Sequence, residues 1–424
     1  MMKAVKAAKE AALYAGALTT HPGFEGIAAA EIAELVGAKA STAAAGIVTF
    51  PIKNLTDLCK LCYLSQSAIA VLCMLSEFKI AATATASATA ANLKKSLAPA
   101  DLLPWFGKGA SFKVSFEPAN SSSYEIPSSE IEAAAGSVIF EAVKKATGSS
   151  PKVNLTSPDV TIAIAASKSS AFCGIAINPF DLSKREYRVF SHSSDIKGSL
   201  AYSLLRFAGY EPGTYLFDPF TRSGTIAIEA ALFSSGFPVS HYRKDALLSA
   251  LSRLPPFLKT DFNDFFSEVE NGSESAAEKR NKSVKPKILA SSSSMQHLRG
   301  AEKNAKIGGV NKLIRFSRLD IEWLDAKLDE RSVDLVVSYP PQFRSTAGND
   351  QFAVAENRKL AVLYKNFFYQ ADFFLKKKGR IVLLLKKGSY LKLAPSAAAY
   401  KFRPEVIKSF RIGAEEFEMV SFTK

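Results

Sequence analysis

The sequence predicts an α/β protein in two unlike parts: small α+β modules up to about residue 180, then a parallel sheet with helices between its strands. Three observations carry this. From about residue 195, short apolar β runs alternate with helical stretches, which is the pattern of βαβ units. All 16 arginines lie after residue 180: residues 1–180 hold 15 Lys against 13 Asp and Glu, and residues 181–424 hold 39 Lys and Arg against 27. Finally, 424 residues with 47% hydrophobic and 22% charged side chains describe a globular chain of two or three domains, not a disordered or fibrous one.

The net charge is +14, and most of it falls on the second part. That places a surface suited to a polyanion there. The longest apolar runs, such as Ile381 to Leu385, fall far short of a membrane span, and no charged-then-apolar leader opens the chain. No membrane partner and a cytoplasmic location are therefore expected. The four cysteines, Cys59, Cys62, Cys73 and Cys173, are too few to staple a chain this long. The CxxC of Cys59 and Cys62 lacks a second pair or a nearby histidine, and it sits in an apolar stretch with helical spacing (residues 55–75), so these read as core thiols. His21, His192, His241 and His297 are scattered without a Cys or Asp at ligand spacing, and no metal is expected.

Along the first part the pattern predicts a strand at Ala17–Thr20, a helix over Phe24–Val36, a strand at Gly46–Ile52, and then the cysteine-bearing helix. Residues 81–91 (AATATASATAA) are low in complexity and suit a helix or a connector. Next come a strand at Phe112–Phe116, a helix over Ser129–Ala146 opened by SSEIE, and strands at Val160–Ala165 and Ala171–Ile177.

In the second part a helix over Lys197–Ala208 leads to a strand at Tyr215–Phe217 and a helix over Ile226–Phe233. Further β runs are Ile288–Ala290, Ile314–Ser317, Val333–Val337 and Ile381–Leu385, with helices at Ser294–Ala305 and Lys359–Leu375. Residues 267–287 are almost wholly polar and are expected to form an exposed loop. The domains expected are 1–55, 56–180 and 181–424.

The turn between the first strand of the second part and its helix carries the chemistry. Asp218, Pro219, Phe220, Ser223, Gly224 and Thr225 place small residues and helix N–H groups where a nucleotide-type ligand could approach. The stretch DPFTRSGTIAIEAAL resembles the DP(M/F)CGSGTIxIEAAL motif of S-adenosylmethionine-dependent methyltransferases. With DLSKREYRVFSHSSDIKGSLAYSLLRFAGY before it and SSMQHLRGAEKNAKIGGVNKLIRFSRLDIEWLD after it, the chain resembles the THUMP-domain RNA guanine-N2 methyltransferases of archaeal type, which act on tRNA. The match is close over about 181–390 and looser over 15–180.

That resemblance implies a ferredoxin-like module (1–55), a THUMP module that grips tRNA (56–180) and a Rossmann-fold class I methyltransferase domain (181–424). It implies S-adenosylmethionine as cofactor and RNA as partner, with a monomer expected. Asp320 corresponds to the acid that meets the adenine amino group, and Ser292 to the position that holds the ribose. In SYPPQF, Tyr339, Pro340 and Pro341 stand at the family's (N/D)PP(Y/F) motif, which accepts the guanine amino protons, with Phe343 as the displaced aromatic. Lys197 and Arg185 match basic positions of the family's connector.

Three positions depart from the motif. Thr221 and Arg222 replace Cys-Gly; Ser292 replaces an acid; Tyr339 replaces Asn or Asp. A positive φ at position 222 would cost roughly 1–2 kcal/mol with Arg in place of Gly. A serine recovers only part of the roughly 1.5–3 kcal/mol of a charged hydrogen bond. Together these losses come to roughly 3–5 kcal/mol, about 10² to 10⁴ in cofactor affinity. Two functions are therefore expected from the sequence: a divergent guanine-N2 methyltransferase acting on tRNA, or a catalytically inactive methyltransferase-fold protein kept for RNA or partner binding.

Overall fold

The computed structural model describes residues 14–83, 85–119, 124–281, 287–344, 351–412 and 415–424. In chain order the strands are β1 (Tyr14–Thr19), β2 (Ser41–Ala44), β3 (Ile47–Ile52), β4 (Ala70–Lys79), β5 (Ser111–Pro118), β6 (Lys152–Val153), β7 (Val160–Ser167) and β8 (Ser170–Ala176). They continue with β9 (Tyr215–Asp218), β10 (Lys287–Ser292), β11 (Ile314–Arg318), β12 (Val333–Ser338), β13 (Leu375–Lys386), β14 (Arg403–Ile412) and β15 (Glu415–Thr423). The helices are α1 (Glu25–Val36), α2 (Thr56–Leu64), α3 (Ala86–Ser96), α4 (Pro99–Leu102), α5 (Ser128–Thr147), α6 (Gly198–Phe207), α7 (Thr225–Ser235), α8 (Lys244–Leu251), α9 (Phe262–Asn281), α10 (Met295–Ile307), α11 (Gln351–Phe374) and α12 (Tyr390–Ala398).

Two compact units result. One holds the chain up to Ser183 together with Ser240–Val269; the other holds Lys184–Val239 and the chain from Glu270. The segment Ser240–Val269, which a single boundary near residue 180 assigns to the second part, thus belongs to the first unit. Its aromatic side chains explain why: Phe266 packs against Tyr63 (ring centroids 4.7 Å apart) and Phe257 against Trp105 (6.2 Å), all buried in one apolar core.

The first unit is built on one eight-stranded sheet, in the order β2-β3-β1-β4-β8-β7-β5-β6. β5 runs parallel to β6 and β7, and the remaining pairs are antiparallel. The cysteine-bearing stretch is a helix only as far as Leu64; its second half is the strand β4. The break comes from Glu31, buried on α1, whose carboxylate accepts from Ser65 Oγ (2.6 Å), Gln66 N (2.8 Å), Ser67 N (3.1 Å) and Ser67 Oγ (2.5 Å). Those bonds hold residues 65–67 out of the helix. All four cysteines are buried free thiols, and burial pushes Cys73 and Cys173 up to about 12. Among the described residues no group of His, Cys, Asp and Glu could hold a metal, and no helix is long and apolar enough to cross a membrane.

In the second unit the sheet order is β11-β10-β9-β12-β13-β15-β14. The first five strands are parallel, and β15 lies antiparallel to both β13 and β14. Chain order reverses between β9 and β12, so the crevice at their carboxyl ends is the switch point where such sheets take ligands. The polar stretch 267–287 is no loop: α9 runs through it to Asn281, and residues 282–286 lie outside the described ones. Phe262, Phe266, Val269 and Ala277 are its buried stripe, while Glu, Ser and Lys cover the rest.

Candidate active site

β9 ends on Asp218, which is almost fully buried. Its carboxylate accepts from Thr221 Oγ1 (2.5 Å), from the Phe220 N–H (3.3 Å) and from Ser338 Oγ at the end of β12. Burial pushes this carboxyl above the usual range, against those hydrogen bonds and the nearby charge of Arg222. The two strand ends of the crevice are therefore joined by one Ser–Asp bond.

The turn after Asp218 rises into α7 through Gly224, whose φ of +82° is the left-handed conformation that suits glycine. A Cβ there would come within 3.0 Å of the Ala301 methyl. Arg222 does not take the left-handed conformation, so the strain anticipated for an arginine at that position is absent. Thr221 N–H donates to the Ser291 carbonyl (3.0 Å), and Asn304 Nδ2 donates to the Ser223 carbonyl (2.9 Å) and the Phe190 carbonyl (2.8 Å). The turn is thereby pinned on both sides.

Arg222 crosses the crevice. Its Nη1 donates to the Tyr339 carbonyl (3.1 Å) and the Ser194 carbonyl (3.4 Å), and its guanidinium lies 5.5 Å from the Tyr339 ring centre. The cavity bounded by Asp218, Phe220, Ser223, Gly224, Thr225 and Tyr339, with Arg222 in its wall, holds only about 20 Å³. That is room for about one water.

The turn after β12 is also engaged. Gln342 Nε2 donates to the Pro340 carbonyl (2.7 Å) and to the Leu384 carbonyl (3.1 Å), and its Oε1 accepts from Lys386 N–H (2.8 Å). Tyr364 donates its hydroxyl to the Pro341 carbonyl (2.6 Å). Three consecutive carbonyls, those of Tyr339, Pro340 and Pro341, are thus each capped by a side chain. Phe343 stacks on Tyr364 (5.6 Å, 26°) with Lys392 5.2 Å from its ring centre. Burial keeps the Tyr339 phenol protonated by raising its pKa.

The profile of the family described as RMKL-like, methyltransferase domain matches residues 185–411, more than half of the chain. The chain belongs to that family. A THUMP domain matches residues 87–176. Over 306 residues, 72% of this chain and 74% of the other, it is 24% identical to a tRNA (guanine(6)-N2)-methyltransferase of Methanocaldococcus jannaschii. Among solved structures, a possible methylase from Clostridium difficile 630 superposes with a TM-score of 0.72 at 19% identity, covering 97% of this chain and 98% of that one. A putative methyltransferase complexed with SAH, SMU.472, gives 0.69 at 17%, with the same coverage.

S-adenosylmethionine, the cofactor that a methyltransferase family implies, fits the turn in part. Gly224, the buried Asp218 and the start of α7 form a close main-chain cradle; Arg222 narrows the room beside it. Six of the sequence-predicted residues meet in the cavity: Asp218, Phe220, Ser223, Gly224, Thr225 and Tyr339. Pro219 is buried beneath the turn, and Pro340 and Pro341 contribute capped carbonyls. Ser292 lies outside the cavity, its hydroxyl 3.5 Å from His297 Nδ1, and Asp320 is exposed after β11.

Several residues took roles that the sequence hid. Arg185, matched to a basic position of the family's connector, is buried and paired with Glu229 of α7 through Nε (2.8 Å) and Nη2 (3.1 Å), with the Tyr187 hydroxyl donating to the same carboxylate (2.7 Å). His192 and His297, 105 positions apart in the chain, meet edge to face at 5.1 Å beside Ser292. Trp105 packs in the core, whereas Trp323 is 66% exposed.

Proposed function

We propose that this protein is an S-adenosylmethionine-dependent RNA methyltransferase whose substrate is tRNA and whose acceptor is the exocyclic N2 of a guanine. The observation that carries the reading is the bond between Ser338 and Asp218, which couples the cofactor turn to the acceptor turn at the switch point of the sheet. The archaeal relative's name and the THUMP domain support RNA as the substrate.

When bound, S-adenosylmethionine supplies a methyl group on a sulfonium centre. The Gly224 cradle and Asp218 would hold it, and Ser292 with His297 would offer neutral hydrogen-bonding groups in place of the missing acid. The carbonyls of Tyr339 and Pro340 accept and orient the guanine amino protons once Arg222 and Gln342 release them. Tyr339, its ring now beneath Arg222, provides the aromatic face for the extruded base. Asp320 contributes to the adenine end.

A second reading rests on a specific observation: all three carbonyls of the acceptor turn are already capped. It is a methyltransferase-fold protein that binds RNA without transferring a methyl group. The two are separated by incubating the full chain with radiolabelled S-adenosylmethionine and total tRNA and digesting the product to nucleosides. The first reading predicts label in N2-methylguanosine; tRNA binding with no label in any nucleoside would establish the second.

A further inference from the structure

The first 180 residues contain no arginine, yet they include the THUMP domain at 87–176. The fold resolves this by bringing Ser240–Val269 into the same unit, and with it Arg243 and Arg253. Arg243 is occupied: its Nη1 donates to the Asp181 carbonyl (3.3 Å) and its guanidinium lies over Phe180 at 4.5 Å. Arg253 is exposed just beyond α8, anchored by Nε to the Ser249 carbonyl (3.1 Å) and by Nη1 to Ser157 Oγ (3.4 Å).

Beside it lies a cavity of about 160 Å³. Its wall carries Arg253, Lys113, Thr161, Thr156, Ser157 and Asp159. Lys113 on β5 and Thr161 on β7 are register partners, so they project from the sheet side by side. A cavity of roughly this size accommodates a molecule as large as benzene, so a phosphate group enters without rearrangement.

We propose that this cavity is a phosphate-binding site, in which Arg253 and Lys113 neutralise one phosphodiester of an RNA backbone and the hydroxyls of Thr156, Ser157 and Thr161 donate to its oxygens. The carboxylate in the wall fits this. Asp159 Oδ2 is turned to Ser111, accepting from its N–H (2.8 Å) and Oγ (2.7 Å), and these bonds, with the charge of Arg253, hold it below the usual carboxylate range. Two cations and one anion leave a net charge of +1, which matches the single charge of a phosphodiester. A guanidinium adds the two-pronged recognition of phosphate that lysines cannot supply. The arginine missing from the first 180 residues is thus supplied from a later segment of the same chain. Only the source of the phosphate, RNA, rests on the function proposed above.

The test uses the full chain without S-adenosylmethionine, so its result is independent of methyl transfer. Binding of total tRNA is measured across a salt series for Arg253→Gln, Lys113→Met, the double variant and the control Lys39→Met, and binding of inorganic phosphate by calorimetry for the same set. Thermal melting of each variant checks its folding, and Arg253→Lys should recover part of the loss. Each site substitution should weaken tRNA binding about five- to tenfold, and the double variant should lower the salt slope by about 0.7–0.9, the loss of one phosphate contact, while the control changes neither. Loss of inorganic phosphate binding in the double variant with tRNA binding unchanged would assign the site to free phosphate. If neither ligand responds to the double substitution, the proposal is overturned.

Discussion

At the scale of single residues, the site is governed by which side chain holds which carbonyl. Arg222 makes two neutral-acceptor hydrogen bonds and lies over an aromatic ring; interactions of that kind are worth roughly 1.5–2.5 kcal/mol net, so releasing it lowers apparent cofactor affinity about 10- to 70-fold. None of this is written in the motif itself. The departure at 222 was legible, but its consequence depends on Tyr339, 117 positions further on, and on the absence of a left-handed backbone at 222. His297 gives a second consequence. Burial, then the neighbouring His192 and Arg222, lower its pKa below 6.5. The folded state therefore takes up a proton less readily than the unfolded chain, and stability must fall as pH drops below about 6.5. Melting temperature measured between pH 7.5 and 5 should decline, and His297→Gln should flatten that decline; an identical slope in the variant would show that His297 does not contribute.

At the scale of elements, the Arg185–Glu229–Tyr187 cluster decides how α7 sits. Gly198 at the start of α6 leaves the space for it, since a Cβ there would come 2.5 Å from Glu229 Oε1. Glu229→Gln keeps the shape but removes the carboxylate charge that faces the buried Arg185, at a cost of about 3–5 kcal/mol in unfolding free energy by urea titration. A loss under about 1 kcal/mol would mean the pair is not what fixes the helix. The βα pattern around this helix was plain in the sequence, because β9, β10 and β12 are short apolar runs, α7 is apolar nearly throughout and α10 carries an apolar stripe. Elements set by remote partners were not. β4 looked helical because Glu31, which draws residues 65–67 out of the helix, lies more than 30 positions away. α9 looked like a loop because its buried stripe is sparse and the rest is polar.

At the scale of the molecule, the charge asymmetry along the chain misleads until the fold is known: the arginine-free stretch and an arginine-bearing segment share one unit. The methyltransferase fold itself was legible as a parallel sheet with helices between its strands, but the antiparallel pair β14 and β15 was not, since neither strand forms a βα unit. What joins the scales is Arg222, one side chain that narrows the crevice formed by the whole sheet. Calorimetric titration of S-adenosylhomocysteine into the unaltered protein and into Arg222→Gly tests this most directly. The glycine variant should bind at least about tenfold more tightly, with micromolar affinity within reach. Equal affinity in the two proteins would contradict the role given to Arg222, and no binding by either would remove the cofactor from this site altogether.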